Sequence, residues 1–488
     1  MKQRVEILGR LVKQRVELYR SHMERGVSQK LDHWLTRKER RPLVLRGARQ
    51  VGKTWLIRDL ALRLGRSLVE INFERDPQLS RCFAANDPKR VLAELSLAMD
   101  CDITPDGSLL FLDEIQAVPE MFARLRWFAE ELAVLPVAAA GSLLNFTLAD
   151  KSFRVPVGRI GYLHVEPMGY QEYLRAHGQD RLIDALKAWH PGGELSTVAQ
   201  ARATEWFDRY AMVGGMPDVV AADIAQQDPQ ICRALQRQLV ATFRDDFAKY
   251  SGRMDRNILD STLTAVASSL GRKFVYAHVE QGVKQHQAKH ALELLAQARL
   301  CHIVRHAAAN GLPLAGEIKD TFRKAILLDV GLLHALLATP AARAFPSWDS
   351  LSASVKGQLT EQLAGQELRL LDSASGDEPT LYYWQRNGGR PGEIDYLLQI
   401  AARIVPVEVK AGAGGAMKSL HQFMFDKQLD LAVRFDRNPP SLAELSVKTT
   451  QGDSVRYRLV SLPLYLAWRL PEIMDVLAFG APTPNAAL

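Results

Sequence analysis

Apolar runs and polar breaks alternate along the chain in an order that predicts strands alternating with helices. Residues 43–45, residues 108–112 and the stretch "LPVAAAG" from Leu135 are short apolar runs, typical of strands buried on both faces of a parallel sheet. The segment after residue 53 instead repeats apolar residues at helical spacing. This order predicts an α/β fold in which helices cover a parallel sheet.

The middle of the chain has two helical patterns followed by a strand pattern. Helical spacing runs through "ILDSTLTAVASSLG", a turn is predicted at Gly271, and "KQHQAKHALELLAQARL" is a second amphipathic segment before the strand-like "CHIVRHA". This order is typical of a winged helix-turn-helix, which either contacts DNA or packs against protein. The core-facing residues of the second helix are predicted to be Ala291, Leu294, Leu295 and Ala298. The exposed residues that could contact DNA phosphates are Lys284, His286, Lys289 and His290.

Two alternating runs near the C-terminus predict a β-hairpin with charged residues on one face. The apolar positions of the two runs are Ile394, Tyr396, Leu398, Ile400, Val405, Val407 and Val409. Pairing these sets on a common core face places Asp395, Glu408 and Lys410 together on the opposite face, because side chains alternate along a strand. A divalent cation, Mg²⁺ or Mn²⁺, would offset the facing carboxylates, with Glu361 or Glu367 of a preceding helix as a third ligand. The alternative is two amphipathic strands with charged edges.

Composition is typical of a globular protein with several domains. The chain has 488 residues, of which 47% are hydrophobic and 24% are charged. No apolar run is long enough to span a membrane, no secretory signal is apparent, and the four cysteines have no paired spacing, so we expect a cytoplasmic protein with no membrane contact. The net charge of +7 arises within residues 1–50, which hold 14 Lys/Arg against 5 Asp/Glu. Residues 1–38 are predicted to form a basic helical segment that attracts phosphate groups or is simply solvated.

The most specific motif is "GARQVGKT", which follows the predicted strand at residues 43–45 and precedes a helix. It matches G-x-x-x-x-G-K-[ST] in the required context of strand, loop and helix. The glycines let backbone N–H groups approach phosphate oxygens, and the helix N-terminus adds positive potential. The predicted nucleotide-binding residues are Gly47, Ala48, Arg49, Gln50, Val51, Gly52, Lys53 and Thr54. Lys53 is expected to contact the β- and γ-phosphates of ATP or GTP, and Thr54 a magnesium ion.

Two acidic residues at the end of the next buried strand could take part in hydrolysis of a nucleotide bound at this loop. Asp113 and Glu114 follow residues 108–112, and open parallel sheets bind ligands at the carboxyl ends of their strands. Asp113 is expected to hold the magnesium ion through its water shell. Glu114 is expected to orient or deprotonate the attacking water.

Two further positions could act on the γ-phosphate, and each has alternatives. Ser142 ends the third apolar strand and could sense the γ-phosphate, as could Asn145, while a Gly-Ser turn explains the serine equally well. Arg154 or Arg159 could stabilise transition-state charge, either within the subunit or from a neighbour. We favour Arg159; a surface ion pair is the alternative.

Together these motifs resemble the AAA-type ATPases of bacteria and archaea that carry a C-terminal domain of unknown function 4143. The resemblance covers nearly the whole chain after residue 40 and rests on "GARQVGKT", "LFLDEIQ", "AAGSLL", "VGRIGYLHVEPMGYQEYL", "YAMVGGMPDVV", "GEIDYLL" and "VEVKAG". It implies a restriction-endonuclease-like fold at the end of the chain. The predicted organisation is a basic helical segment at 1–38, an AAA-type P-loop core at 39–180, a helical lid at 181–250, a winged-helix-like domain at 251–345, a nuclease-like domain at 346–475 and a disordered tail at 476–488.

The resemblance also implies roles in the C-terminal domain. It favours Glu361 over Glu367 as the third metal ligand. Asp395, Glu408 and Lys410 are similar to the D…E-x-K site of metal-dependent nucleases, in which the lysine positions water or stabilises phosphorane-like charge. The usual proline before the aspartate is absent, since residue 394 is isoleucine.

The sequence therefore predicts an ATP-hydrolysing protein that acts on DNA, with ATP and Mg²⁺ as cofactors. An arginine acting in trans would require a homo-oligomer. The alternative is an ATP-dependent switch or scaffold whose nuclease-like domain binds DNA or a protein partner without cleaving. A small-molecule P-loop kinase is a third interpretation, which Glu114 and the long downstream domains disfavour.

Overall fold

The computed structural model describes residues 23–38, 40–142, 144–149, 158–250, 252, 254–337, 348–373, 378–386, 388, 392–400 and 402–479. Most of the predicted basic segment (residues 1–22), the candidate Arg154 and residues 480–488 of the predicted tail lie outside these ranges. Within the described ranges, no helix combines the length and the apolar character that crossing a bilayer requires.

The first sheet contains five parallel strands. They are β1 Leu43–Arg46, β2 Ser67–Asn72, β3 Ser108–Asp113, β4 Val137–Ala140 and β5 Gly161–His164. Their order is β2-β3-β4-β1-β5, so β1 lies between β4 and the edge strand β5. All residues of β3 and β4 are buried, as their continuous apolar sequences predict for strands covered on both faces. The predicted parallel α/β class and its three buried strands are confirmed.

Helices cover this sheet and continue into a helical region. They are α1 Ser28–Thr36, α2 Lys53–Arg63, α3 Pro88–Met99, α4 Met121–Glu131, α5 Leu144–Ala149, α6 Tyr170–Ala176, α7 Asp180–Ala188, α8 Thr197–Val213, α9 Pro217–Gln226 and α10 Pro229–Tyr250. Leu43 and Leu45 join one core cluster with α2, whereas Val44 joins another with α3 and α4. Alternating side chains of β1 thus anchor the two helical layers.

The second sheet contains eight strands and is mixed. They are β6 Cys301–Ala307, β7 Ile318–Leu327, β8 Leu381–Gln385, β9 Glu393–Ile400, β10 Arg403–Val409, β11 Leu431–Asp436, β12 Ser441–Lys448 and β13 Ser454–Pro463. Their order is β12-β13-β11-β10-β9-β8-β6-β7. Its helices are α11 Arg256–Ser268, α12 Gln285–Gln297, α13 Val330–Leu336, α14 Ala353–Ser373, α15 Lys418–Lys427 and α16 Leu470–Phe479.

The middle of the chain does not form a sheet of its own. The two predicted helices are present as α11 and α12, and the predicted core residues Ala291, Leu294, Leu295 and Ala298 are buried. The wing strands β6 and β7 pair with each other, but β6 also pairs in parallel with β8. The predicted boundary at residues 345/346 therefore cuts through one continuous sheet. The predicted tail boundary is also too early, because α16 continues to Phe479.

The predicted C-terminal hairpin is present, with one departure from strict alternation. Strands β9 and β10 pair antiparallel, and Tyr396 lies opposite Val407. Tyr396, Val405 and Val407 share the main core cluster, as predicted. Ile394 instead packs in a separate cluster with Trp384. The register between β8 and β9 shifts just there, and such an irregularity changes the direction of the adjacent side chains.

Candidate functional site

The glycine-rich loop after β1 is held close to neighbouring backbone. Gly47 has φ 155°, and a Cβ atom there would lie 2.2 Å from the carbonyl oxygen of Val165. A larger residue would therefore push the loop away from the segment that follows β5. Gln50 and Gly52 also have positive φ angles, of 64° and 94°. This curved backbone leads into the N-terminus of α2, an arrangement that suits phosphate oxygens.

Lys53 lies inside this loop. Its side chain is buried, and Nζ donates hydrogen bonds to the carbonyl oxygens of Gly47 at 3.0 Å and Ala48 at 2.7 Å. Burial lowers the pKa of Lys53 to about 8, and the carboxylates of Glu114 and Asp113 only partly oppose this effect. A negatively charged group beside the ammonium would favour its charged form and raise this pKa again.

The acids at the end of β3 face this loop. Thr54 Oγ1 donates a hydrogen bond to Asp113 Oδ2 at 3.0 Å. Burial and the neighbouring Glu114 raise the pKa of Asp113. Glu114 Oε2 accepts hydrogen bonds of 3.4 Å from both the backbone N–H and the hydroxyl of Ser142. The structure thus brings the predicted Thr54, Asp113, Glu114 and Ser142 together.

These residues line a cavity of about 360 Å³. Arg49 also lines it and forms a 3.0 Å ion pair with Asp246 of α10. Lining residues that the sequence did not reveal are Met23, Arg25, Trp55, Arg58, Met168, Pro217 and Asp218. The cavity therefore has a polar end at the loop and a partly apolar end formed by the chain before α1 and the start of α9.

The "VGGMP" segment, which carried no predicted chemistry, forms part of this wall. Gly215 approaches Met168 so closely that a Cβ atom would lie 2.0 Å from the Met168 carbonyl oxygen. The Gly215 carbonyl accepts a 2.7 Å hydrogen bond from the Met168 backbone N–H. This contact brings Pro217 and Asp218 to the cavity, and the glycine pair was the only signal of it in the sequence.

Arg25 connects the glycine-rich loop with the end of β5. Its side chain is buried and donates to the carbonyl oxygens of Val51 at 3.0 Å and Glu166 at 2.7 Å, while Nε pairs with Glu172 at 3.1 Å. A single guanidinium group thereby fixes three segments around the cavity.

A buried ionic cluster continues from Glu166 into the C-terminal half. Glu166 Oε1 accepts hydrogen bonds from Arg369 of α14 at 2.8 Å and Arg299 at 3.2 Å. Although burial raises the pKa of Glu166, Arg369, His302 and Arg299 lower it more, to about 2. Glu166 therefore remains ionised at neutral pH and joins the first sheet to the second.

Two other predicted residues lie away from the cavity. Arg159 is exposed and pairs with Glu130 of α4 at 2.7 Å. It precedes β5, at the opposite end of the parallel sheet from the glycine-rich loop, so it cannot reach a γ-phosphate in the same subunit. The Asn145 side chain donates to the Gln297 carbonyl at 3.0 Å, which favours Ser142 over Asn145 as the polar residue at the cavity.

The predicted acidic cluster of the C-terminal domain also assembles, in a partly buried position where the Asp395 side chain is 20% exposed. Asp395 Oδ2 accepts a 2.7 Å hydrogen bond from the Val409 backbone N–H. Glu408 is buried, and its Oε1 contacts Lys410 Nζ at 2.5 Å. Burial and the charge of Glu361 raise the pKa of Asp395 well above its usual range. The sequence placed these charges together on the face opposite the core, and the structure adds that Glu361 of α14 and Lys324 of β7 reach the same place.

The decisive additional residue is Lys324 of β7. Its Nζ lies 3.0 Å from Glu361 Oε1 and 3.9 Å from Asp395 Oδ1, and it also pairs with Glu393. Burial lowers the pKa of Lys324, but Glu361 and Asp395 raise it more, so the net pKa lies above its ordinary value. No sequence pattern marked Lys324, because the strand that carries it was assigned to another domain.

The arrangement does not fit the predicted divalent-metal site at Glu361, Asp395 and Glu408. Within the described ranges, no group of three or more His, Cys, Asp or Glu side chains is placed to hold a metal ion. The ammonium group of Lys324 contacts Glu361 and Asp395, two of the three carboxylates that would have supplied the ligand oxygens. Glu408 Oε2 is buried without a hydrogen-bond partner among the described atoms, and burial raises the pKa of this carboxyl.

The other helical candidate, Glu367, has different partners. Glu367 accepts hydrogen bonds from the Tyr170 backbone N–H at 2.9 Å and the Tyr210 hydroxyl at 3.1 Å. Burial raises the pKa of Glu367 to about 7. Glu361, not Glu367, is therefore the helical acid that reaches the cluster.

Comparison with known proteins identifies three regions. Residues 39–174 match an AAA domain, residues 204–343 a domain of unknown function (DUF8612), and residues 356–452 a domain of unknown function (DUF4143). Uncharacterised proteins of Mycobacterium tuberculosis and Mycobacterium bovis are each 26% identical over 400 residues, or 80% of this chain and 75% of theirs. The structure of the Aeropyrum pernix ORC1 protein in complex with DNA aligns at 14% identity and a TM-score of 0.26, covering 64% of this chain and 92% of that one.

The AAA match covers both the glycine-rich loop and the acids at the end of β3, and the DUF4143 match covers the acidic cluster. Both were expected from the resemblance, and both are confirmed at this level. This chain therefore carries an AAA domain with a parallel α/β fold at residues 39–174 and a C-terminal DUF4143 domain at residues 356–452.

Proposed function

We propose that this protein binds and hydrolyses ATP, and that the cycle controls its contact with nucleic acid. The observation that carries the proposal is the convergence of Lys53, Thr54, Asp113, Glu114 and Ser142 on one cavity of about 360 Å³. Each has the chemistry that phosphoryl transfer to water requires, namely a cation, a hydroxyl beside a carboxylate, a base and a polar sensor.

The residues fit a nucleotide bound with Mg²⁺. The curved loop would bind phosphate oxygens through its N–H groups, and Lys53 would exchange its bonds to loop carbonyls for bonds to phosphate. Thr54 and Asp113 offer the hard oxygen ligands that Mg²⁺ prefers. When bound, the ion would offset charge on the phosphates. Glu114 would accept a proton from the attacking water, and the contact with Ser142 would hold its carboxylate in place.

The ionic cluster around Glu166 supports a link between the nucleotide cavity and the C-terminal half. Arg25 contacts the glycine-rich loop at Val51 and the backbone of Glu166, and the Glu166 side chain contacts Arg369 of α14. The same helix carries Glu361 of the acidic cluster. A movement of the loop on hydrolysis would therefore be transmitted to the DUF4143 domain through buried, charge-paired groups.

For the C-terminal domain, we favour binding without cleavage. The observation that favours it is the ammonium group of Lys324, which already supplies a positive charge to the carboxylates of Glu361, Glu393 and Asp395. Metal-assisted phosphodiester cleavage would need a divalent ion at these oxygens. Exposed basic side chains at the start of α12 support DNA contact by the middle region, namely Lys284 just before the helix and His286, Lys289 and His290 within it.

The ATPase proposal is tested by phosphate release from purified protein with ATP, Mg²⁺ and no added acceptor. Release that disappears in Glu114→Gln while nucleotide binding persists supports hydrolysis and excludes a kinase that needs a second substrate. Absence of release in the unmodified protein, with or without DNA, would contradict the proposal.

The non-cleaving role is tested separately with supercoiled DNA and Mn²⁺ or Mg²⁺. We expect intact DNA. Cleavage that is lost in Asp395→Ala would overturn this role and establish the nuclease alternative.

A further inference from the structure

A second cavity, of about 730 Å³, lies beside the first sheet, away from the cavity at the glycine-rich loop. It is bounded by α1 and the loop to β1 on one side and by Gly161, Tyr162 and Leu163 of the edge strand β5 on the other. These residues lie where β1 and β5 begin, whereas the glycine-rich loop follows the end of β1. The two cavities therefore open at opposite ends of the same sheet, and a ligand in one would not displace a ligand in the other.

The charged side chains that line this second cavity, which we call the basic groove, are all basic. Its basic side chains are Lys30, His33, Arg37, Arg40 and Arg41, and none of the described residues that line it is Asp or Glu. His33, Arg37 and Arg41 are exposed. Concave surfaces with a single sign of charge concentrate the field and attract ligands of the opposite sign. Four of the 14 Lys/Arg in the first 50 positions thus line one groove.

Arg40 gives this groove a cation that is built in. It is only 9% exposed, and one terminal nitrogen donates to the Leu35 carbonyl at 2.7 Å. Its Nε is buried without a hydrogen-bond partner among the described residues. Burial and the nearby Arg66 lower the pKa of Arg40, and Asp106 only partly opposes this effect. An anion in the groove would offset both the desolvation and the missing hydrogen bond.

Aromatic rings accompany the cations. Tyr162 of the edge strand is half-buried, and its ring packs on the Val44 side of the sheet, with the Arg46 guanidinium 4.2 Å from the ring centroid. Trp34 also lines the groove, and its indole N–H donates to the Arg41 carbonyl at 2.9 Å, which fixes the backbone of that arginine. Because Trp34 is buried and Arg46 covers the Tyr162 ring, the groove would meet a nucleic acid through its cations, which suit a phosphate backbone.

The identity of the occupant follows from charge and shape. The chain's own residues 1–22 contain six Lys/Arg and two Glu, so they would be repelled. We infer that the basic groove between α1 and β5 binds the sugar-phosphate backbone of single-stranded DNA. This inference rests on the nucleic-acid part of the proposed function, to which it adds a location and a strand type; it is independent of the ATPase part. An acidic polypeptide is the competing occupant, and the experiment separates the two.

The test is fluorescence anisotropy of a labelled oligothymidine of about 20 nucleotides with the full-length protein, over a range of salt concentrations. The variant is Arg37→Glu/Arg41→Glu, which alters two exposed side chains. We expect about a tenfold or greater loss of affinity. The slope of log affinity against log salt should fall by about 1.4, because each phosphate contact on a single strand contributes about 0.7. ATP hydrolysis should be unchanged.

The matched control is Arg75→Glu/Arg81→Glu, which makes the same change in net charge at exposed positions of the same domain. Unchanged affinity in Arg37→Glu/Arg41→Glu, or an equal loss in the control, would overturn the groove assignment. Displacement of the oligonucleotide by polyglutamate at equal charge concentration would assign the groove to an acidic protein instead. Absence of ATP hydrolysis in the unmodified protein would refute the ATPase proposal, and the result on oligonucleotide binding would still stand.

Discussion

Replacing Lys324 with methionine tests whether this lysine is the internal counter-ion of the acidic cluster. The substitution keeps the length and apolar character of the side chain but removes its charge. The substitution would remove the shared partner of Glu361, Glu393 and Asp395. The Lys324–Glu361 pair is buried, since the two side chains are only 4% and 9% exposed. Removing one partner from a buried ion pair costs about 3–5 kcal/mol, because the other charge stays buried without compensation. For a cooperative unit of 150–250 residues this equals a fall in Tm of roughly 6–20 °C.

The effect should depend on pH in a defined direction. Burial and Glu361 already raise the pKa of Asp395 well above its usual range, and the loss of Lys324 removes a charge that lowers it. An acid with a raised pKa in the folded state binds more protons there than in the unfolded chain, so its contribution to stability falls as pH rises above the unfolded value. The deficit of Lys324→Met should therefore be largest near pH 8 and smaller near pH 5.

The assay is thermal unfolding of full-length protein at several pH values, with Lys448→Met as the control on an exposed strand position. Adding Mn²⁺ gives a second measurement, because carboxylates freed from Lys324 offer oxygen ligands to a cation. An ion at about 100 times its Kd stabilises the folded state by about 2.7 kcal/mol. We expect Mn²⁺ to stabilise Lys324→Met more than the unmodified protein. A Tm shift no larger than that of the control, at every pH, would refute the counter-ion role.

Three further outcomes are expected at the nucleotide cavity. Because the pKa of Lys53 is about 8 before phosphate binds, ATP affinity should weaken as pH rises above 8. Calorimetry in buffers of different ionisation enthalpy should detect the uptake of a proton on binding. An ATP affinity that stays constant up to pH 10 would contradict phosphate binding by Lys53. Glu114→Gln should retain ATP binding and lose about 10²- to 10⁴-fold in hydrolysis rate, measured in single turnover. Arg159→Ala should retain ATP binding. If Arg159 acts on a neighbouring subunit, mixing this variant with Glu114→Gln should restore part of the ATP hydrolysis. Mixtures that are no more active than the two separate variants would exclude that role.

Much of the nucleotide site was predictable because its signals are local. The loop, its lysine and its threonine are consecutive in the sequence, and glycine at position 47 is required by close backbone contact. The acids 113 and 114 end a continuous apolar run, and the carboxyl ends of parallel strands meet at one edge of a sheet. The apolar wall was not predictable, since Met23 and Pro217 reach the cavity only through tertiary packing.

The acidic cluster shows the limit of strand periodicity. Alternation along β9 and β10 correctly brought Asp395 and Glu408 near each other, because side-chain direction depends only on local backbone geometry. It could not show that α14 and β7 reach this face, nor that Lys324 supplies its positive charge. The pairing of β6 with β8 brings β7 into the same sheet, and that pairing joins residues about 80 positions apart in the chain.

The sequence by itself determined the parallel α/β class, the glycine-rich loop with its acids and the hairpin that carries the C-terminal carboxylates. These depend on contiguous residues and on the two periods of secondary structure. Only the tertiary structure decided which cation meets those carboxylates, which end of the sheet Arg159 occupies and where the basic N-terminal residues form a groove. Such outcomes depend on contacts between distant segments, where burial and charge pairing are set by the packing of whole elements.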